Sequence, residues 1–109
     1  MNTISLEDFK KLDIRIAGIL SVEDIDGADN LYKIVLSVGG LGERTIVSGI
    51  KKYYSKESLV GRQIVYLSNL EAKKIRGIES QGMLLAVVDD EGVSLLFPDR
   101  KVPDGSSVS

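Results

Sequence analysis

The sequence contains no histidine and no cysteine, and each absence removes a class of chemistry. Histidine is the side chain that titrates near neutrality without a perturbed environment, so the usual general acid–base group is missing. The lack of both residues also excludes structural zinc, cysteine nucleophiles, disulfides and haem–thiolate ligation. A site built from carboxylates alone is the one remaining alternative. We therefore expect no catalytic residues, no metal and no cofactor, in a protein that is not an enzyme.

Long apolar runs are missing as well. No stretch approaches the ~20 apolar residues that a membrane helix needs, and residues 1–11 have no apolar run of the signal-peptide kind. We expect a cytoplasmic protein without a membrane partner. The chain has 109 residues, of which 43% are hydrophobic, and this is ample for one core. The sequence thus predicts a single domain over residues 1–109.

Net charge is low but unevenly distributed. The formal total is −2, yet residues 51–76 hold seven basic and two acidic side chains. Both flanking segments are acidic, so the total conceals a basic middle. Segment charge is the better guide to partners, and this segment favours an anionic partner such as nucleic acid.

Aromatic residues are scarce, with four tyrosines, two phenylalanines and no tryptophan. Proteins that bind single strands without sequence preference stack successive bases on exposed aromatic rings. Tyr32 and Tyr66 fall in predicted strands, where a tyrosine usually belongs to the core or rim. Recognition of backbone and shape is therefore expected, which favours a folded RNA.

The hydrophobic pattern predicts strands joined by short polar turns, with little helix. The predicted strands cover residues 13–23, 31–38, 43–49, 62–68, 83–88 and 93–97. A short helix is predicted at 5–11, a helical turn within 53–61, and polar connections at 24–30 and 69–82. Gly18 interrupts the first strand and suggests a bend. This organisation predicts an all-β protein, a small closed Greek-key barrel of the OB-fold type.

The segment 69–77 is the strongest candidate site. It follows a predicted strand and combines an amide, Asn69, with three cations within four residues, Lys73, Lys74 and Arg76. Basic side chains neutralise phosphates and release counterions, while an amide can bond a base edge or a sugar. The alternative is a solvated loop whose lysines only maintain solubility.

Several segments together resemble the tRNA-binding domain family. They occur in order from residue 4 to about residue 105, which is more specific than any one motif. The matching segments are Asp8–Ile16, Ala28–Tyr32, Arg44–Ile50, Tyr53–Gly61, Asn69-Leu70, Lys74–Gly77 and Glu79–Ala86. The chain is similar to free-standing structure-specific tRNA-binding proteins and to the C-terminal domain or β-subunit of methionyl-tRNA synthetase. Endothelial-monocyte-activating-polypeptide domains are similar too.

The resemblance implies a five-stranded OB-fold barrel with a short N-terminal helix and extra C-terminal strands. It also implies a homodimer, built partly by the N-terminal helix and the C-terminal segment. Members of the family bind the outer corner of tRNA and raise the affinity of a synthetase for its tRNA substrate. The expected partners are therefore tRNA and a methionyl-tRNA synthetase catalytic subunit. By position, the RNA-binding residues would be Asn69, Lys73, Lys74, Arg76, Ser80 and Met83, with Arg44 and Ser48 nearby.

Two positions depart from the family pattern. Asn30 stands where the family has a lysine before the second strand, and Glu71-Ala72 replaces a proline after Asn-Leu. Both changes reduce positive charge or loop rigidity, so weaker binding than in the relatives is expected. Two other functions remain open at this point. One is a peptide-binding export chaperone of the CsaA type, which has the same fold, and the other is a structural subunit that docks a synthetase.

Overall fold

The computed structural model describes residues 2–109, which form a largely antiparallel β structure with two one-turn helices. The helices are α1 (Leu6–Phe9) and α2 (Lys56–Leu59), and a 3-10 turn spans Gly39–Leu41. The strands are β1 (Ile14–Ile25), β2 (Ala28–Ser37), β3 (Glu43–Ser48), β4 (Gln63–Leu67), β5 (Lys73–Ile75), β6 (Ile78–Ser80), β7 (Met83–Leu84), β8 (Ala86–Asp89) and β9 (Gly92–Leu95). The predicted all-β class is confirmed. None of the described helices is long and apolar enough to cross a membrane.

The N-terminal helix forms where the sequence predicts it. The hydroxyl of Ser5 accepts a hydrogen bond from the Asp8 backbone amide at 3.0 Å. This bond satisfies one of the amides that a helix start leaves without a partner. Glu7 and Asp8 occupy the first turn, where negative charge is favourable.

Strand β1 is the centre of the main sheet, whose order is β3-β2-β1-β4-β7. Its first half pairs with β4 and its second half with β2, so one long strand serves two neighbours. The register with β2 shifts between Ile19 and Ser21, which leaves Leu20 unpaired in that ladder. This bulge is two residues beyond the bend predicted at Gly18, and it provides the coiling that a small barrel requires.

The strands β1, β2, β3, β4 and β7 form the OB-fold barrel, but no continuous ladder closes it. The predicted full closure is therefore wrong. Between β3 and β7 the gap is crossed by separate hydrogen bonds instead. The Gln81 amide donates to the Thr45 carbonyl at 2.8 Å, and the Thr45 amide donates to Oε1 of Gln81 at 3.0 Å. Strand β7 has only two residues, and both pair with β4.

Three connections differ from the sequence-based prediction. Residues 24–30 are mostly strand, because Asp26 and Gly27 alone form the turn between β1 and β2, and Gly27 has φ +76°. The polar segment 69–82 contains the hairpin β5–β6. Residues 83–88, predicted as one strand, form two short strands, and Val88 is 76% exposed.

Alternation along the barrel strands places one apolar set inside. Ile34 and Leu36 of β2 and Ile64 of β4 are fully buried, and Tyr66 joins them with its ring inside the barrel. Leu59 of α2 is also fully buried and covers one end of this core. The short helix is thus held by packing rather than by its own length.

The C-terminal residues complete the edge of β1 that β2 leaves free. The Gly105 amide donates to the Ile16 carbonyl at 2.7 Å, and the Ile16 amide donates to the Ser106 carbonyl at 2.8 Å. The Val108 amide donates to the Ile14 carbonyl at 2.8 Å. Together with the hairpin β8–β9, this segment provides the expected C-terminal additions to the barrel.

Candidate nucleic-acid interface

The hairpin β5–β6 presents the three cations predicted to bind RNA. Lys73, Lys74 and Arg76 are all exposed, and among residues 2–109 none of the three forms an ion pair. Lys74 lies opposite Glu79 in the ladder, which leaves Lys73 and Arg76 without an opposing acidic residue. Their charge is therefore available to phosphate oxygens.

Arg76 has an uncommon backbone conformation. Its φ is +51°, and within the described part of the chain it is the one non-glycine residue with positive φ. Gly77 follows with φ +79°, which gives the two-residue turn preferred in β-hairpins. A side chain at such a position costs roughly 1–2 kcal/mol. The arginine is thus held at the hairpin tip at an energetic cost, as is common at functional positions.

The hairpin tip lies beside the turn between β1 and β2. Nη1 of Arg76 is 3.8 Å from the position that a Cβ atom would have on Gly27. In OB-folds the loop between the first two strands, the loop before the last strand and the face of strands two and three bind nucleic acids. Here these two loops are the Gly27 turn and the β5–β6 hairpin. The chain therefore brings the predicted cations to the surface that OB-folds use.

Ser80 lies at the base of this hairpin and is buried. It is 6% exposed, and its hydroxyl accepts a hydrogen bond from the Val47 amide at 2.9 Å. The expectation that it bonds a sugar or a base placed it on the surface, whereas the structure shows it joining β6 to β3.

Asn69 is exposed, and both ends of its amide are bonded to the N-terminal segment. Its Oδ1 accepts from the Asp13 amide at 2.8 Å, and its Nδ2 donates to the Lys11 carbonyl at 2.7 Å. Ser68 beside it donates to the Asp13 carboxylate at 2.8 Å. The Ser68 hydrogen bond, with that from Arg15, holds the pKa of Asp13 below its ordinary value of 3.8. Asn69 therefore fixes the segment that leads into the hairpin.

Arg44 and Ser48 lie on the barrel side of β3. Both are half-buried, and Arg44 is opposite the buried Leu36 in the ladder. The guanidinium of Arg44 lies near the hydroxyl of Tyr66, which donates to the Gln81 carbonyl. Burial raises the pKa of Tyr66, and Arg44 opposes this shift. Arg44 thus lies beside Tyr66 on the barrel side of the site.

Met83 is the remaining predicted residue, and it is 45% exposed on β7 opposite Leu67. Its thioether is therefore available at the barrel edge, a few residues after the hairpin. The predicted set accordingly divides in two. Lys73, Lys74, Arg76 and Met83 are at the surface, whereas Asn69, Ser80, Arg44 and Ser48 hold the surrounding backbone or lie partly inside.

Gln81 and Gly82 also belong to the site, although sequence reasoning named neither as an RNA-binding residue. Gln81 makes two hydrogen bonds to Thr45, and Gly82, with φ +85°, passes directly over β4. A Cβ on Gly82 would be 2.3 Å from the Leu67 carbonyl oxygen. The Ser-Gln-Gly sequence gave one usable signal, since a glycine between strand patterns often marks a close backbone approach.

Comparison with known proteins now identifies the family. Residues 14–107 match the family model described as "Putative tRNA binding domain". The chain belongs to the tRNA-binding domain family. The match begins with β1 and ends within the C-terminal segment paired to it, so it includes the whole barrel and the β5–β6 hairpin.

Individual relatives agree with this assignment. The domain is 50% identical over 108 residues to a methionine–tRNA ligase from Pyrococcus furiosus, covering 99% of this chain and 15% of that protein. A MetRS-related protein from Pyrococcus horikoshii has 33% identity and a TM-score of 0.92, with both chains fully covered. A chaperone CsaA from Bacillus anthracis has 30% identity and a TM-score of 0.89, covering 99% of this chain and 100% of that one.

Three other cations of the basic middle, unlike those of the hairpin, contact acidic or aromatic side chains in this tRNA-binding domain. Lys51 and Lys56 form ion pairs with Asp24, and the guanidinium of Arg62 lies 5.4 Å from the centroid of the Tyr54 ring. The positive charge counted in the sequence is therefore partly neutralised. Across residues 2–109 no three His, Cys, Asp or Glu side chains form a group suited to a metal ion.

Proposed function

We propose that this chain is a non-catalytic tRNA-binding protein that recognises backbone and shape. One observation carries the proposal: Lys73, Lys74 and Arg76 form no ion pair within residues 2–109, and they lie on a hairpin whose tip adjoins the Gly27 turn. Phosphate contacts by these cations give affinity without sequence readout. Membership of the tRNA-binding domain family supports tRNA as the ligand.

We further propose that the protein acts in the cytoplasm as an accessory subunit or trans-acting partner of methionyl-tRNA synthetase. The similarity to 15% of a methionine–tRNA ligase supports a link to that enzyme, and the MetRS-related protein is similar over its full length. A homodimer is part of this proposal. The N-terminal segment and the segment after β9 both expose apolar side chains that a second copy could cover, with Ile4 70% and Phe97 64% exposed.

A CsaA-like peptide-binding chaperone is the second candidate. The full-length similarity to the chaperone from Bacillus anthracis favours it, since the fold alone does not separate the two functions. The hairpin cations favour tRNA, because an apolar peptide gains little from them. The two functions differ in ligand and in salt dependence, and both can be measured.

Fluorescence anisotropy with labelled bulk tRNA over a salt series tests the proposal. The triple variant K73A/K74A/R76A should bind at least about tenfold more weakly, and its salt slope should fall by roughly two to three, about one for each lost phosphate contact. The matched control K10A/R100A/K101A removes the same charge from exposed residues elsewhere and should bind nearly as the wild type does.

Equal weakening by both triple variants would contradict the hairpin assignment, since it would indicate a response to net charge alone. Capture of peptides without any tRNA binding would instead establish the chaperone function. A pull-down from native lysate, scored for tRNA and for a synthetase, tests the partnership. Light scattering at micromolar concentration tests the dimer, and a monomer there would contradict it.

A further inference from the structure

Asp24 binds two lysines at once near the end of β1. Its Oδ2 atom is 2.6 Å from Nζ of Lys56, and its Oδ1 atom is 2.9 Å from Nζ of Lys51. Each carboxylate oxygen therefore has its own lysine. The two ion pairs lower the pKa of Asp24 and raise that of Lys56, as expected when each group stabilises the charge of the other.

Both lysines are positioned by other contacts as well. The Lys51 amide lies 3.4 Å from the Asn30 carbonyl, and its Nζ is 5.9 Å from the centroid of the Tyr32 ring. Tyr32 is in turn fixed by a hydrogen bond from its hydroxyl to the Tyr54 carbonyl at 2.8 Å. Lys56 is the first residue of α2, which Ser55 caps. The pairs thus join ordered backbone segments rather than freely moving side chains.

This cluster lies at the same end of the barrel as the hairpin. Asp24 is opposite Tyr32 in the β1–β2 ladder, three residues before Gly27. Three residues of strand span about 10 Å. Because Arg76 lies against Gly27, the paired lysines and the exposed cations of the hairpin flank the same turn. A tRNA bound at the hairpin would therefore have its backbone near Lys51 and Lys56.

We propose that Asp24 limits the RNA-binding surface of this protein by withholding Lys51 and Lys56 from phosphates. The inference rests on the proposed tRNA binding at the hairpin and adds a residue that sets its extent. A phosphate approaching either lysine must compete with the carboxylate and is itself repelled by it. Asp26 on the same turn and Asp29 near the start of β2, both exposed, add to that repulsion. Binding is thereby weakened at these two lysines relative to the hairpin cations, which favours a ligand of suitable shape over any polyanion.

Substitution of Asp24 tests this role. The variant D24N should bind tRNA about tenfold more tightly near 100 mM salt, with the salt slope steeper by up to about two, because two phosphate contacts become available. D90N is the matched control. It makes the same change in formal net charge, from −2 to −1, at an exposed turn residue without a lysine partner among the described ion pairs.

A third variant isolates the two lysines. D24N/K51A/K56A should lose the gain and return to the wild-type salt slope. D24N should also elute from heparin at higher salt than D90N, which measures release of the lysines without tRNA. Equal behaviour of D24N and D90N on both ligands would overturn the inference, as would a gain that persists in the triple variant. No tRNA binding by the wild type would overturn the proposed function, and the heparin comparison would still decide whether Asp24 withholds the lysines.

Discussion

The Ser80 hydroxyl accepts a hydrogen bond from the Val47 backbone amide, 2.9 Å away, where β3 and β7 form no ladder. Here a side chain replaces the backbone carbonyl that a neighbouring strand would have supplied. The same bond attaches the base of the cationic hairpin to the barrel. This hydroxyl therefore contributes to the stability and presentation of the hairpin, together with the two hydrogen bonds between Gln81 and Thr45.

The variant S80A should lose about 1–2 kcal/mol of unfolding free energy in urea, because the partly buried Val47 amide is left without the Ser80 acceptor. Hydrogen exchange of the Val47 amide should accelerate in S80A, while the salt dependence of tRNA binding should change little. S58A, at an exposed residue of α2, is the control and should cost less. Full stability with loss of tRNA binding would instead indicate that the hydroxyl contacts RNA directly.

The variant G82A should be destabilised by about 3 kcal/mol or more, or should fail to fold. The positive φ of Gly82 disfavours any side chain, and a Cβ atom there would overlap the Leu67 carbonyl oxygen. G77A is the matched control, with similar φ but open space around the Cβ position, and should cost about 1–2 kcal/mol. Thermal unfolding compares the two, and equal losses would show that the close approach to β4 has no consequence.

The variant N69A should lose about 1 kcal/mol of stability and loosen the N-terminal helix, since the bonds to Asp13 and Lys11 disappear. Denaturant unfolding measures the loss of stability, and hydrogen exchange of the Asp13 amide measures the loosening of the N-terminal segment. The tRNA salt slope should remain that of the wild type, because no cation is removed. A selective loss of tRNA affinity at unchanged stability would restore the predicted role of Asn69 in direct contact with RNA.

The carboxylate of Asp13 should make stability depend on pH in the acid range. Its pKa is lower in the folded protein than its ordinary value of 3.8, so the stabilisation is present above about pH 4. It is lost as pH falls through the lowered folded value. D13N should therefore be less stable than the wild type near neutrality, and the difference should shrink below about pH 4. Urea midpoints across this range measure it, and a constant or growing difference would contradict the assignment.

Local sequence signals predicted much of the fold. The cap at Ser5 and the apolar alternation in the barrel strands act within a few residues, so α1 and the main strands were predicted. The hairpin β5–β6 was missed because its strands have three residues each and β5 begins with two lysines. Such strands form through attachment to β3 rather than through their own pattern.

The candidate site was predicted only in part, because local sequence signals reveal exposed cations but not contacts between distant residues. Exposed cations can be recognised from residue type, and Lys73, Lys74 and Arg76 are at the surface as expected. The partners of Asn69 and Asp24 are distant in sequence, since Asn69 binds Asp13 and Asp24 binds Lys56. Such pairs depend on the completed fold, and no local pattern in the sequence reveals them.

The pairing of residues 105–108 with the start of β1 constrains the order in which the protein can fold. Ile14 obtains its partner Val108 from the far end of the chain, so this edge of β1 stays open during synthesis until those residues leave the ribosome. An open strand edge invites pairing with other chains. The nascent protein therefore passes through a stage at which it is prone to aggregate, and pairing of residues 105–108 with β1 ends that stage.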